Sequence, residues 1–113
     1  MINILTHKKG EPYDKYIDNI CHPKTTKLNT LDIIALLCIK LCDLYDNINY
    51  HRIQKLEDDK LRKRLLSKYL PAIDKIICAL QAQLEYIKLN DELIYELINN
   101  VSELVENYKY YRL

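Results

Sequence analysis

Apolar residues recur every three or four positions along most of the chain, and this spacing is typical of amphipathic helices. The most regular series predicts a helix from about residue 29 to residue 48, capped by Asn29 or Thr30 and with Asp32 in its first turn. Its apolar positions are Leu31, Ile34, Cys38, Leu41, Tyr45 and Ile48. Further apolar residues widen this face, so we expect the helix to be central to the core or covered by a partner.

Two more helices are predicted toward the C-terminus. Pro71 suits the first position of a helix that ends near Leu89, and one longer helix kinked at Pro71 is the alternative. Asn90 is the expected cap of the last helix, and the short turn before it predicts an antiparallel hairpin. The apolar positions of the helix after Pro71 are Ile73, Ile77, Leu80, Leu84 and Ile87. Those of the last helix are Ile94, Leu97, Val101, Leu104, Tyr108 and Tyr111.

The remaining segments are less regular. Residues 11–21 predict a short helix, residues 1–10 an irregular arm and residues 22–28 a linker. Between residues 50 and 70 the apolar side changes face, which leaves open a break near 57–59 or a turn near 47–51. The predicted fold is all-α, with one domain over residues 1–113. Residues 29–113 are predicted to form a compact bundle of four main helices. Residues 1–28 are predicted to form an arm that could contain a short fifth helix.

The charge and the apolar runs narrow the range of partners. The chain of 113 residues has a net charge of +1, which predicts neither nucleic-acid binding nor membrane adhesion. The longest apolar run, residues 33–39, is much shorter than the roughly 18 residues that a membrane span needs. The N-terminus lacks the order of a signal peptide. We therefore expect a cytoplasmic protein whose cysteines are free thiols.

The chain offers little catalytic or metal-binding chemistry. It has one glycine and no Gly-x-Ser-x-Gly or His-Glu-x-x-His motif, so we expect neither enzymatic activity nor a cofactor. Its cysteines and histidines could build a zinc site, but the usual Cys-x₂-Cys spacing is absent. Cys38 belongs to an apolar series, where a free cysteine acts as a small hydrophobic residue. No metal is expected, and a Cys/His metal-stabilised domain is an alternative.

The strongest surface signal is a basic stretch within residues 60–69. Lys60, Arg64 and Lys68 recur at every fourth position, so they share one helix face that could contact phosphates. A solvated face, or a face paired with the acidic last helix, is the alternative. The candidate binding residues of this stretch are Lys60, Arg62, Lys63, Arg64, Lys68 and Tyr69, the last as a platform for base stacking.

The C-terminal residues 107–113 are dense in tyrosine. Tyrosine and arginine are enriched at the energetic centres of protein interfaces. Tyr108 and Tyr111 also continue the apolar series of the last helix, so completion of the core is an equal alternative. The candidate binding residues of this tail are Tyr108, Tyr110, Tyr111 and Arg112.

These observations favour a small, non-enzymatic helical protein that binds another protein or a second copy of itself, with a homo-oligomer expected. No motif places the chain in a family. In size, helix content and lack of catalytic groups it resembles bacteriocin immunity proteins and phage or viral accessory proteins that block host machinery, which is a likeness of architecture alone. Nucleotide or nucleic-acid binding through the basic stretch is the main alternative.

Overall fold

The computed structural model describes residues 7–23, 29–49 and 59–109, with the side chains of residues 59 and 107–109 excepted. These residues form four helices and no strand: α1 (Tyr13–Cys21), α2 (Thr30–Asn47), α3 (Asp59–Tyr86) and α4 (Glu92–Lys109). The all-α prediction is confirmed, and the short helix near the N-terminus is present. The predictions for residues 1–6, 24–28, 50–58 and 110–113 lie outside the described residues.

A reciprocal pair of hydrogen bonds fixes the start of α2. The Asp32 backbone N–H donates to Asn29 Oδ1 at 2.8 Å, and the Asn29 backbone N–H donates to Asp32 Oδ2 at 3.4 Å. This capping box satisfies two backbone donors that a helix start would otherwise leave without partners. Of the two caps predicted for this helix, Asn29 is therefore the correct one.

The helix start predicted at Pro71 is wrong, because Pro71 lies inside the 28-residue helix α3. A proline in a helix interior removes one backbone hydrogen bond and leaves the carbonyl four residues earlier, here that of Ser67, without its usual donor. Both Ser67 and Pro71 are exposed, so water can reach this carbonyl. Leu66 and Ile73, on either side of the proline, are fully buried and hold the two halves of α3 against the same core.

The turn between α3 and α4 is a Schellman motif. The Leu89 N–H donates to the Leu84 carbonyl at 2.9 Å, and the Lys88 N–H donates to the Glu85 carbonyl at 3.1 Å. Lys88 has a φ of 53°, in the left-handed region that glycine usually occupies at this position.

The predicted cap of the last helix is wrong by one residue. Asp91, and not Asn90, caps α4: its Oδ1 accepts hydrogen bonds from the backbone N–H groups of Leu93 at 3.0 Å and Ile94 at 3.3 Å. These are the second and third residues of the helix, whose N–H groups are the ones that a capping side chain normally satisfies.

Helix α2 lies at the centre of the bundle. It contacts α1, α3 and α4. The Cα atoms extend over 43 × 35 × 17 Å, so the body is flat. The largest fully buried side chains are Ile17, Ile20, Leu36, Leu37, Leu41, Leu44, Ile48, Leu66, Ile73, Ile76, Leu80 and Leu84.

The apolar side of α2 is rotated relative to the predicted series. Leu31, the first member of that series, is 62% exposed, so its assignment to the core is wrong. Leu37 and Leu44, which lie outside that series, are fully buried instead. Because α2 is apolar around most of its circumference, the sequence pattern fixed its core-facing side poorly.

Candidate functional site

One apolar face of α2 remains exposed although the helix is central. Leu31 is 62% exposed and Ile39 is 51% exposed, and Ala35 and Cys42 are exposed as well. At 3.6 residues per turn, these four side chains fall within about 80° of one another, on the side away from the buried Leu37. They form a strip about 16 Å long, which we name the α2 outer face.

A buried lysine joins α2 to α1. Lys40 is 8% exposed, and its Nζ lies 2.9 Å from Asp43 Oδ2 and 5.0 Å from the centre of the Tyr16 ring. A buried cation is tolerated when a carboxylate and an aromatic ring replace its hydration. Lys40 therefore holds α2 against α1, and Asp43 has a positive partner beside it.

Cys38 borders the α2 outer face and is half-buried. Burial, then the neighbouring Cys42 and Asp91, raises the pKa of Cys38. Asp91, the cap of α4, is therefore within electrostatic range of Cys38. Leu93, in the first turn of α4, is 76% exposed.

The basic residues predicted to bind phosphate all lie on the first half of α3. Lys60, Lys63, Arg64 and Lys68 are exposed, whereas Arg62 is half-buried. Lys60, Arg64 and Lys68 share a face, as their spacing predicts.

Tyr69, proposed as a stacking platform, is half-buried in an intramolecular aromatic cluster. The Lys68 Nζ lies 4.5 Å from the centre of the Tyr13 ring and 5.4 Å from that of Tyr69, and the two rings are 6.0 Å apart. On the other side of Tyr13, the ring of His7 lies 4.9 Å from that of Tyr16. Sequence analysis missed this cluster, because it joins two segments, residues 7–16 and 68–69, that are distant along the chain.

A groove runs between α1 and α3 and holds two adjoining cavities, which we name the α1–α3 groove. The first, of about 310 Å³, is lined by Tyr13, Asp14, Ile17, Ser67, Lys68, Pro71, Ala72 and Lys75. The second, of about 440 Å³, is lined by Asp18, Cys21, His22, Asp74, Lys75, Cys78, Ala79 and Ala82.

Lys75 lines both cavities, and its Nζ lies 3.0 Å from Asp18 Oδ1 across the groove. This hydrogen bond to Asp18 raises the pKa of Lys75. Sequence analysis missed the groove, because nothing in the pattern indicates that α1 packs against α3.

All four cysteines are free thiols, as predicted, but their surroundings differ. Cys21 is buried, and its desolvation, followed by the nearby Asp18, raises its pKa to about 11. Cys42 and Cys78 are exposed and Cys38 is half-buried. Within the described part of the chain, no three His, Cys, Asp or Glu side chains are placed to hold a metal ion, so the metal-stabilised alternative gains no support there.

The tyrosine-rich tail is only partly described. The backbone of Tyr108 belongs to α4, and its side chain lies outside the described residues. Tyr110, Tyr111 and Arg112 lie outside them entirely. The choice between a core role and a binding role for this tail therefore stays a prediction.

Comparison with known proteins identifies no relative of this chain. The chain matches no protein-family model, no curated protein and no solved structure. Among the described helices, none is both long enough and apolar enough to cross a membrane. The argument for function therefore depends on the surfaces described above.

Proposed function

We propose that this protein is a small, non-enzymatic interaction module that associates with a second copy of itself through the α2 outer face. The observation that carries the proposal is the exposure of Leu31, Ala35, Ile39 and Cys42 in successive turns of the central helix. Scattered exposed apolar residues are ordinary, whereas a continuous apolar strip on a helix is typical of an interface.

The size of the strip indicates that the association is weak. Complete burial of a leucine or isoleucine is worth about 1.5–3 kcal/mol, so the half that remains exposed is worth about 1 kcal/mol. Leu31 and Ile39 from two copies would together supply about 4 kcal/mol. Association costs at least about 4 kcal/mol in lost motion. These side chains therefore only offset the cost of association, so a dimer requires contacts beyond the strip and is expected only at high protein concentration.

Sedimentation equilibrium over a wide concentration series tests the proposal. The average mass should rise from 13.5 kDa toward twice that value, and Ile39→Lys should hold it at 13.5 kDa because a charge would be buried at the contact. Tyr86→Lys is the matched control, since Tyr86 is 79% exposed and lies on α3. Equal association of both variants, or a wild-type chain that stays monomeric, would disprove self-association through α2.

The proposed role belongs to the cytoplasm and resembles that of small immunity or phage accessory proteins, which act by covering a surface on a partner. Four free thiols support a reducing compartment. The absence of a catalytic motif in the sequence supports a binding role.

A second candidate function is the binding of a nucleotide phosphate in the α1–α3 groove. The observation in its favour is that Lys68, Tyr13 and Ser67 line the same 310 Å³ cavity, with the Lys68 ammonium against the Tyr13 ring. This arrangement offers a cation, a hydrogen-bond donor and an aromatic surface to one ligand. Asp14 on the same rim and the pairing of Lys75 with Asp18 weaken the positive potential, which places this candidate second.

Titration with adenosine monophosphate at two salt concentrations tests the second candidate. Binding should weaken as salt rises and should be lost in Lys68→Glu. Lys63→Glu is the matched control, because Lys63 is exposed on another face of the same helix. Equal binding by both variants, or none by the wild-type chain, would remove the candidate.

A further inference from the structure

We propose that Ser67 on α3 is a phosphorylation site for a serine kinase that recognises arginine side chains ahead of its target. Arg62 and Arg64 lie five and three residues before Ser67. Kinases of this class bind such arginines through carboxylates, and the charge pattern around the serine selects the substrate. Among the serines and threonines of the chain, only Ser67 has arginine at both of these distances.

The Ser67 side chain is accessible in the folded chain. Ser67 is exposed, and so is Arg64 one turn earlier on the same helix. The other serine of the chain, Ser102, is half-buried and has Asn99 in place of an arginine three residues before it. Exposure and sequence therefore favour the same hydroxyl group.

Pro71 weakens α3 at the turn that a kinase has to open. The backbone around Ser67 must leave the helix locally so that its hydroxyl can reach the γ-phosphate of ATP. Pro71 has no N–H, so the Ser67 carbonyl lacks the donor that would close this turn. Opening here breaks one backbone hydrogen bond fewer than opening elsewhere in α3. The neighbouring Leu66 is fully buried and returns the segment to the core afterwards.

The surroundings of Ser67 suit a phosphate once it is attached. Ser67 and Lys68 line the same 310 Å³ cavity. Arg64 lies three residues before Ser67, a spacing at which helix side chains are neighbours. A phosphoserine forms charge-assisted hydrogen bonds with such cations. Asp14 also lines the cavity, so the phosphate meets one carboxylate and two cations there.

The modification is a phosphoryl transfer from ATP. The Ser67 hydroxyl oxygen forms a bond to the γ-phosphorus, while the bond from that phosphorus to the departing ADP oxygen breaks. The hydroxyl proton passes to the catalytic aspartate of the kinase. The chain gains about 80 Da and close to two negative charges at neutral pH.

Incubation of the full chain with ATP and a purified kinase that requires arginine three and five residues before its target tests the site. Intact mass and peptide mapping should show one phosphate per chain, on Ser67, and none in Ser67→Ala. Arg64→Gln should lower the initial rate at least about tenfold, because one charged contact with the kinase is lost. Lys63→Gln is the matched control, since it removes the same charge from the same exposed turn at a position that the kinase does not read.

The absence of phosphate from the wild-type chain, or phosphate on Ser102 instead, would overturn the proposal. Equal losses of rate in Arg64→Gln and Lys63→Gln would also overturn it, because the arginine positions would not be recognised. Pro71→Ala restores the missing N–H and leaves the arginines in place, so it should slow phosphorylation; an unchanged rate would contradict opening at this turn. Circular dichroism shows that each variant is folded, and none of these outcomes depends on self-association or nucleotide binding.

Discussion

Leu31 and Leu37 allow a paired test, because the same substitution in one helix meets opposite surroundings. Leu37 is fully buried, so Leu37→Ala removes packed atoms and leaves a cavity, at a cost of about 2–5 kcal/mol. Leu31 is 62% exposed, and alanine is the strongest helix former, so Leu31→Ala should change the free energy of unfolding by less than about 0.5 kcal/mol.

Urea unfolding followed by circular dichroism measures both changes. The protein concentration must be low, because a dimer would add stability by mass action. Under these conditions Leu37→Ala should lower the free energy of unfolding by about 2–5 kcal/mol, while Leu31→Ala should leave it nearly unchanged. At high concentration the wild-type chain should gain stability, and Leu31→Ala should lose that gain.

Equal losses for the two variants at low concentration would refute this account of α2. Such a result would mean that Leu31 belongs to the core of the single chain, and the α2 outer face would not exist as a free surface. A small loss for Leu37→Ala would contradict the assignment of its side of α2 to the core.

Four further predictions concern the turn, the cap and the thiols. Lys88→Gly should raise the free energy of unfolding by about 0.5–1 kcal/mol by relieving the left-handed backbone, and Lys88→Ala should not. Asp91→Ala should cost about 1 kcal/mol, whereas Asp91→Asn should retain most of the cap, both measured by urea unfolding. Cys42 and Cys78 should react first with a chromogenic disulfide at neutral pH, and Cys21 should react only on unfolding. Folding raises the pKa of Cys21 from 9.0 to about 11. The stability that the protonated thiol contributes is therefore complete below pH 9 and is lost as the pH rises through 11. Cys21→Ala should remove this dependence of the free energy of unfolding on pH.

Helix caps could be predicted from the sequence where they depend on residues that are close together along the chain. Asn29 and Asp32 are three residues apart, so their capping box can be recognised from the sequence. The cap of α4 was harder, because Asn90 and Asp91 are both suitable residues. The left-handed Lys88 and the Schellman hydrogen bonds decide between them, and those depend on how α3 ends.

Pro71 shows where tertiary packing overrides a local rule. A proline usually starts or breaks a helix, yet Leu66 and Ile73 are buried in one core on either side of it. The burial of both outweighs the lost hydrogen bond at the exposed Ser67 carbonyl. Periodicity alone gives no measure of that balance.

The candidate surfaces required the structure. The sequence showed that α2 has more apolar residues than one core-facing side needs, and it left open whether a partner covers the remainder. Only the positions of α1, α3 and α4 identify Leu31 and Ile39 as the uncovered residues. The α1–α3 groove depends on contacts across more than 50 residues, such as Lys75 with Asp18.

The central claim is that the α2 outer face is the contact surface of a dimer. The most direct measurement is a dilution series of the full chain followed by amide chemical shifts in two-dimensional NMR. The account predicts concentration-dependent shifts centred on Leu31, Ala35, Ile39 and Cys42, with the buried core of α3 unaffected. Shifts confined to other helices, or spectra that do not change with concentration up to the limit of solubility, would contradict it.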